Sequence, residues 1–181
     1  MKLVPTPLKD CYIIEPTIFE DERGYFYEKF NEKKFEELSG LTGNFVQDNV
    51  SKSSYGVLRG IHLQKGDHAQ AKLVSCLEGK VWDVAVDLRP DSPTYKQWFG
   101  IELTGENKKQ LYIPRGFGHG FSVLSETAVF AYKCDNYYNK DSEGGVRWDD
   151  PILQIDWKLF EDQIQLSDKD QIQPFLEEGN Y

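Results

Sequence analysis

Residues able to move or hold charge crowd into one stretch, Val57 to Lys72 (VLRGIHLQKGDHAQAK), which carries Arg59, His62, His68 and Lys72 in a run that otherwise has β-strand character. Histidine is the side chain best placed to take a proton near neutral pH. Set between two cations, His62 belongs in a site suited to an anionic substrate or a developing oxyanion. Strict strand alternation puts Leu58, Gly60 and His62 on one face and Arg59 on the other. For Arg59 and His62 to share a cavity the strand must twist or bulge, most cheaply at Gly60.

Other residues could complete such a site. Tyr132 lies in AVFAYKCDNYY, in phase with Phe130 and Cys134. An inward tyrosine bonds its hydroxyl to backbone or, opposite a histidine, acts as a general acid. Asp170 follows Ser167 by three residues, the spacing of a helix cap, and this pattern favours capping over the alternative of orienting a histidine. Tyr137 and Tyr138, with Trp148 near, read either as a stacking platform for a base or as an exposed pair on an edge strand. Asp83 and Asp87 share the polar face of their strand, solvated or lining a cavity. In IPRGFGHGF, Pro114 and the glycines around His119 predict a tight turn that brings backbone close to something. This piece resembles the second half of the cupin signature. The first half normally supplies two histidines one residue apart and a glutamate, whereas five residues separate His62 from His68 here, so the ligand count disfavours a metal.

The elements that must hold these residues are mostly strands. At 181 residues the chain reads as one domain, 1–181, and 14% aromatic residues with many Val and Ile favour strands over helices. A net charge of -9 argues against nucleic acid or an anionic membrane surface as partner, so cations must be concentrated locally, with Arg23, Arg59 and Lys72 as candidates. Cys11, Cys76 and Cys134 form no CxxC, no stretch is apolar enough to span a bilayer, and the expectation is a reduced, cytoplasmic protein. CYIIEPTIF reads as a strand and the residues from Asp21 to Gly24 as a turn, after which Tyr25 to Phe30 alternates again. Asn31 should cap a short helix with Phe35 and Leu38 on one face and Gly40 as its stop. KLVSCL, KVWDVAVDLR, WFGIEL, QLYIP, GFSVL and AVFAYKCDNYY then follow with the rhythm of a sandwich or barrel. In KVWDVAVDLR, Trp82, Val84, Val86 and Leu88 point one way and Asp83, Ala85 and Asp87 the other. DDPILQIDWKL reads as extended, and a last short helix is ended by Pro174.

VLRGIHLQ, HAQAKLV, VWDVAVDLRPDSPTYKQW, QLYIPRGFGHGFSVL, YKCDNYY and GVRWDDP, in this order, resemble the dTDP-4-dehydrorhamnose 3,5-epimerases of dTDP-L-rhamnose synthesis. The resemblance implies an all-β fold, a cupin-type jelly-roll β-sandwich with short peripheral helices. It implies a homodimer with no metal or organic cofactor that inverts carbons 3 and 5 of dTDP-4-dehydro-6-deoxy-D-glucose. By motif, His62 is then the base, Tyr132 the acid, Asp170 the partner of the histidine, and Lys72 the cation near the keto oxygen. Nucleotide contacts fall to Arg23, Glu28, Gln47, Asn49, Arg59, His119, Glu143 and Lys169, with Tyr138 stacking on thymine. Arg23, Gln47 and Asn49 are expected to serve the partner subunit's site, since the family exchanges N-terminal strands. The chain departs from many members at Gly66-Asp67 and in the more polar Tyr25-Phe26-Tyr27. The competing readings are a single-centre epimerase of a related sugar, a non-catalytic nucleotide-sugar binder and a metal-dependent cupin.

Overall fold

The structure, a computed structural model, describes residues 1–177. The strands are β1 (Lys2–Pro5), β2 (Tyr12–Glu15), β3 (Ile18–Asp21), β4 (Gly24–Tyr27), β5 (Gln47–Ser54), β6 (Leu58–Gln64), β7 (Lys72–Glu78), β8 (Lys80–Asp87), β9 (Trp98–Thr104), β10 (Gln110–Ile113), β11 (Phe117–Val123), β12 (Thr127–Cys134) and β13 (Glu143–Gly145). Helix α1 spans Glu32–Ser39 and α2 spans Asp168–Gln171. The strands form a six-stranded sheet in the order β1-β2-β10-β7-β12-β5, a five-stranded sheet in the order β13-β6-β11-β8-β9, and a separate β3–β4 hairpin. Neighbouring strands in the sheets run antiparallel. This is the expected cupin-type jelly roll.

The two sheets meet through Val74, Ile113 and Phe130 from one side and Val81, Ala85, Phe117 and Phe121 from the other. Strand β8 shows how alternation builds this. Ala85 points into the inter-sheet core, while Val84, Val86 and Leu88, with Trp82, face outward against Val146, Leu153, Trp157 and Leu176. Both faces of β8 are therefore covered, and Asp83 and Asp87 are fully buried rather than solvated. The outer face of the other sheet is covered by α1 through Phe35, which packs among Ile14, Leu73 and Tyr112. Burying such a ring contributes about 1.5–3 kcal/mol.

Helix α1 has the predicted ends. Asn31 Oδ1 accepts from Lys34 N at 3.0 Å, and the Gly40 N–H donates to Glu36 O at 2.9 Å. Leu38, expected beside Phe35 on the buried face, is 55% exposed, because this short helix docks through the one phenylalanine. CYIIEPTIF is two strands, β2 and β3, parted at Pro16, whose missing N–H cannot serve a ladder. DDPILQIDWKL turns rather than extends. The buried Asp150 carboxylate accepts from the N–H groups of Ile152, Leu153 and Leu176, drawing the C-terminal segment back under β8. The turn predicted at IPRGFGHGF is confined to Pro114–Gly116, and His119 lies inside strand β11. Its glycines serve close approach instead. A Cβ on Gly120 would meet Arg59 O at 2.8 Å, and one on Gly118 would meet Ile61 Cγ2 at 2.4 Å.

Candidate active site

Strand β6 carries the base candidate, and a bulge decides which way it points. Arg59 pairs with Phe121 and His62 with His119, so β6 spends two residues, Gly60 and Ile61, where β11 spends one, Gly120. Gly60 has φ 120°, and a Cβ there would meet Gly120 Cα at 2.5 Å, so only glycine fits. The extra residue changes the phase of the strand. Leu58, Ile61 and Leu63 join the outer hydrophobic cluster, while Arg59 and His62 both line the cavity between the sheets. The departure from alternation expected at Gly60 is present.

That cavity lies where β5 and β7 begin and β12 ends, as the pairings of Cys134 with Gln47 and Lys72 show. It has two adjoining lobes. One, of about 310 Å³, is lined by Gln47, Asn49, His62, Leu63, Gln64, Gln70, Lys72, Tyr132, Tyr138 and Glu143. The other, of about 460 Å³, adds Arg59, His119 and Phe121 to the shared Asn49, His62, Lys72 and Tyr132. His62 stands on the five-stranded sheet, whereas Tyr132 (β12) and Lys72 (β7) stand on the six-stranded sheet. The histidine and the tyrosine thus occupy opposing walls.

His62 Nε2 lies 2.5 Å from Asp170 Oδ1, leaving Nδ1 as the ring nitrogen without a protein partner among the described residues. Asp170 is 3% exposed. Its Oδ1 also accepts from the Gly60 N–H at 3.3 Å, and its Oδ2 accepts from Ser167 Oγ at 2.6 Å. Ser167 Oγ in turn accepts the Asp170 N–H and caps α2. The capping role and the histidine-holding role, posed as alternatives by the sequence, are filled together. Burial pushes the Asp170 carboxyl up, but the bonds from His62 and Ser167 push harder and hold it below the ordinary carboxylate value.

A second carboxylate–histidine pair stands deeper. His119 Nε2 lies 2.8 Å from Asp83 Oδ2, and its ring stacks on Phe130 with centroids 5.9 Å apart. Burial holds the His119 imidazolium below the usual range against the pull of Asp83, so the ring is neutral at pH 7. Asp83 Oδ1 is buried with no hydrogen-bond partner among the described residues. Sequence reasoning left Asp83 undecided; its register opposite Phe121 on β11, two residues from His119, is a tertiary fact.

Lys72 has no ion-pair partner among the described residues. Burial lowers its ammonium below the usual lysine range. Cys134 beside it is a thiol pushed up to about 11 by burial, hence neutral near pH 7, and the acidic side chains of Asp83 and Glu143 oppose the shift. Burial raises the Tyr132 hydroxyl above its ordinary value, keeping it protonated at neutral pH and able to donate. Arg59 rests on Ser53 Oγ through Nε and Nη2, at 3.2 and 3.1 Å, and has no carboxylate partner among the described residues. At the mouth, Tyr138 approaches Glu143, which is ion-paired with Lys169.

Other predicted residues are elsewhere. Arg23 sits at the tip of the β3–β4 hairpin, paired with Asp21, and Glu28 pairs with Lys34; neither lines the His62 cavity. Gln47 and Asn49 do line this chain's own cavity. Trp148 does not line the lobe with Tyr138; it packs against the outer cluster, with its carbonyl accepting from Trp157 Nε1. Tyr137 and Tyr138 stand on a loop after β12 rather than on an edge strand. His68 lies in a 3₁₀ turn, Gly66–His68, outside the cavity lining. Among the described residues no three histidine, cysteine or acidic side chains converge as metal ligands, and no helix is long and apolar enough to cross a membrane.

The family model for dTDP-4-dehydrorhamnose 3,5-epimerase matches residues 5–178. The chain belongs to that family. It is 51% identical to the dTDP-4-dehydrorhamnose 3,5-epimerase of Salmonella typhimurium over 179 residues, covering 99% of this chain and 97% of the relative. The crystal structure of the Elizabethkingia anophelis dTDP-4-dehydrorhamnose 3,5-epimerase superposes with a TM-score of 0.98 at 72% identity, covering 100% of this chain and 99% of the other. A Legionella pneumophila dTDP-6-deoxy-D-glucose-3,5-epimerase, solved in complex with dTDP-4-keto-L-rhamnose, gives a TM-score of 0.93 at 54% identity over 97% of this chain and 93% of its own.

Proposed function

We propose that this enzyme inverts carbons 3 and 5 of dTDP-4-dehydro-6-deoxy-D-glucose by proton abstraction and return, giving dTDP-4-dehydro-L-rhamnose. The observation that carries the mechanism is the placement of His62, held by Asp170, across one cavity from Tyr132 and Lys72. Hydrogens at carbons 3 and 5 both adjoin the carbon-4 ketone, so loss of either gives an enolate. His62 takes the proton through Nδ1, and the Asp170 carboxylate stabilises the imidazolium that forms. Lys72 places positive charge at the enolate oxygen. The Tyr132 hydroxyl returns a proton to the opposite face, inverting the centre; the phenolate is then reprotonated from solvent while His62 releases its proton to solvent, which restores both groups for the next abstraction. Electrons stay within the sugar, so the chemistry asks for no redox cofactor.

The nucleotide falls to Arg59 and His119 on the inner lobe, to Gln47 and Asn49, and to Tyr138 with Glu143 and Lys169 at the mouth. Arg23 and Glu28 lie outside their own cavity, and the β3–β4 hairpin that carries Arg23 exposes Phe19 and Phe26 at 62% and 70%. An apolar ribbon paired to neither sheet suits a second copy of the chain, so the assembly is a homodimer in which this hairpin lends Arg23 to the partner's site.

The test is NMR of the substrate incubated with the protein in deuterated water. Deuterium at carbons 3 and 5, followed by NADPH-dependent reduction of the product to dTDP-L-rhamnose, is the expected result. Label at a single carbon would make the protein a single-centre epimerase, and no exchange would overturn the catalytic reading.

A further inference from the structure

The segment after β12 presents Tyr137 and Tyr138, 65% and 53% exposed, yet its backbone is held by hydrogen bonds from the cavity lining. Tyr138 N donates to Gln47 Oε1 at 3.0 Å, and Asn139 N donates to Gln64 Oε1 at 2.9 Å. Gln70 Nε2 donates to Asn136 O at 2.8 Å. The three glutamines come from β5, from β6 and from the residues leading into β7, so both sheets contribute, and all three line the lobe that holds His62. Gln64 and Gln70 are only 6% and 8% exposed. A buried amide is costly unless its polar atoms are bonded, and these two direct theirs at loop backbone rather than at a neighbouring strand.

We propose that Gln64 and Gln70 are positioning residues that fix the 136–139 backbone so that Tyr138 stands ready as the wall for the nucleotide base. This rests on the reading above, in which Tyr138 stacks on thymine. An exposed loop tyrosine must otherwise be ordered when ligand arrives, and ordering it beforehand removes that cost from binding. The two amides act in opposite senses: Gln64 accepts and Gln70 donates. Glutamate at position 64 keeps the acceptor for Asn139 N–H, whereas glutamate at position 70 sets a carboxylate against the Asn136 carbonyl. Each change adds the same charge to the same cavity, so their contrast isolates the hydrogen bond.

The experiment measures dTDP affinity by calorimetry, with kcat and KM, on the full chain carrying Gln64→Leu, Gln64→Glu or Gln70→Glu, alone and combined with Tyr138→Ala. Gln64→Leu and Gln70→Glu should raise the dTDP Kd and the KM by about 5- to 30-fold, with kcat within about twofold. Gln64→Glu should bind dTDP several-fold more tightly than Gln70→Glu. In the Tyr138→Ala background the Gln64→Leu effect should vanish, since the glutamine acts through that ring. Equal losses in both backgrounds, a loss in kcat at unchanged KM, or no contrast between the two glutamate variants would each overturn the proposal. If Gln64→Leu does not fold, the glutamate contrast carries the test. Tyr138→Ala alone separates the two levels: undiminished dTDP affinity brings down the stacking reading and this proposal with it, whereas weakened affinity with additive effects brings down this proposal only.

Discussion

Two histidines of this chain pair with aspartates through Nε2 at similar distances, 2.5 Å for His62 and 2.8 Å for His119, but their surroundings differ. The His62 side chain is 30% exposed and Asp170 behind it 4%, whereas His119 and Asp83 are 8% and 0% exposed. At the rim, a substrate can reach the free nitrogen, and the buried carboxylate favours the protonated ring after abstraction. In the interior, desolvation keeps His119 neutral, fit to donate or accept a fixed hydrogen bond but poorly suited to holding an extra proton. On the proposed mechanism the same pair of side chains serves as a base in one place and as a neutral ligand-orienting group in the other, and solvent access sets the difference.

The largest effect should come from His62→Ala. Turnover should fall by about 10³-fold or more while dTDP binding stays nearly intact, measured by product formation and calorimetry. A comparable fall for a conservative change at His119 would erase the distinction between the pairs. Tyr132→Phe should cut net epimerisation by about 10²- to 10³-fold yet leave part of the deuterium exchange, because abstraction does not need the acid on the far wall. Exchange and inversion falling together would place both proton transfers on one side.

Neutralising the two aspartates sharpens the contrast. Asp170→Asn should cost about 10²-fold or more in kcat, since the imidazolium loses its counter-charge, and Asp83→Asn about tenfold at most. The acid limb of stability should also respond to Asp170. Its folded carboxyl lies below its ordinary value of 3.8, so its contribution is complete above that pH and is lost as pH falls through the lower folded value. Asp170→Asn should therefore flatten the loss of melting temperature below about pH 4. Ser167→Ala removes the α2 cap and one Asp170 bond, and should cost about 1 kcal/mol in chemical denaturation with a smaller effect on rate than Asp170→Asn. A chelator should leave the rate unchanged, since in the proposed mechanism Lys72, not a metal, supplies the charge at the enolate.

Much of this was legible in the chain. The helix signals at Asn31 and Gly40 and the alternation of β8 read correctly, because such patterns answer to local sterics and to the need for each strand to bury one face. The glycines around His119 were read as a turn, because close approach of backbone and chain reversal ask for the same residue. Leu38 and Trp148 were misplaced for a similar reason: which apolar residue meets a neighbour depends on how the element docks.

By itself the sequence determined an antiparallel β fold, the family, and the identity of the histidine, tyrosine and lysine that face one another, since residue types and their local spacing are written in it. Tertiary structure alone decided that Gly60 shifts β6 by one residue so that Arg59 and His62 share a wall. It also decided that Asp170, a cap by spacing and a histidine partner only by resemblance, reaches 108 residues back to His62, and that Asp83 meets His119 in the buried interior. The reason is physical: local patterns fix which face of an element is apolar, but a contact between distant residues exists only once two sheets have packed and set the register between them.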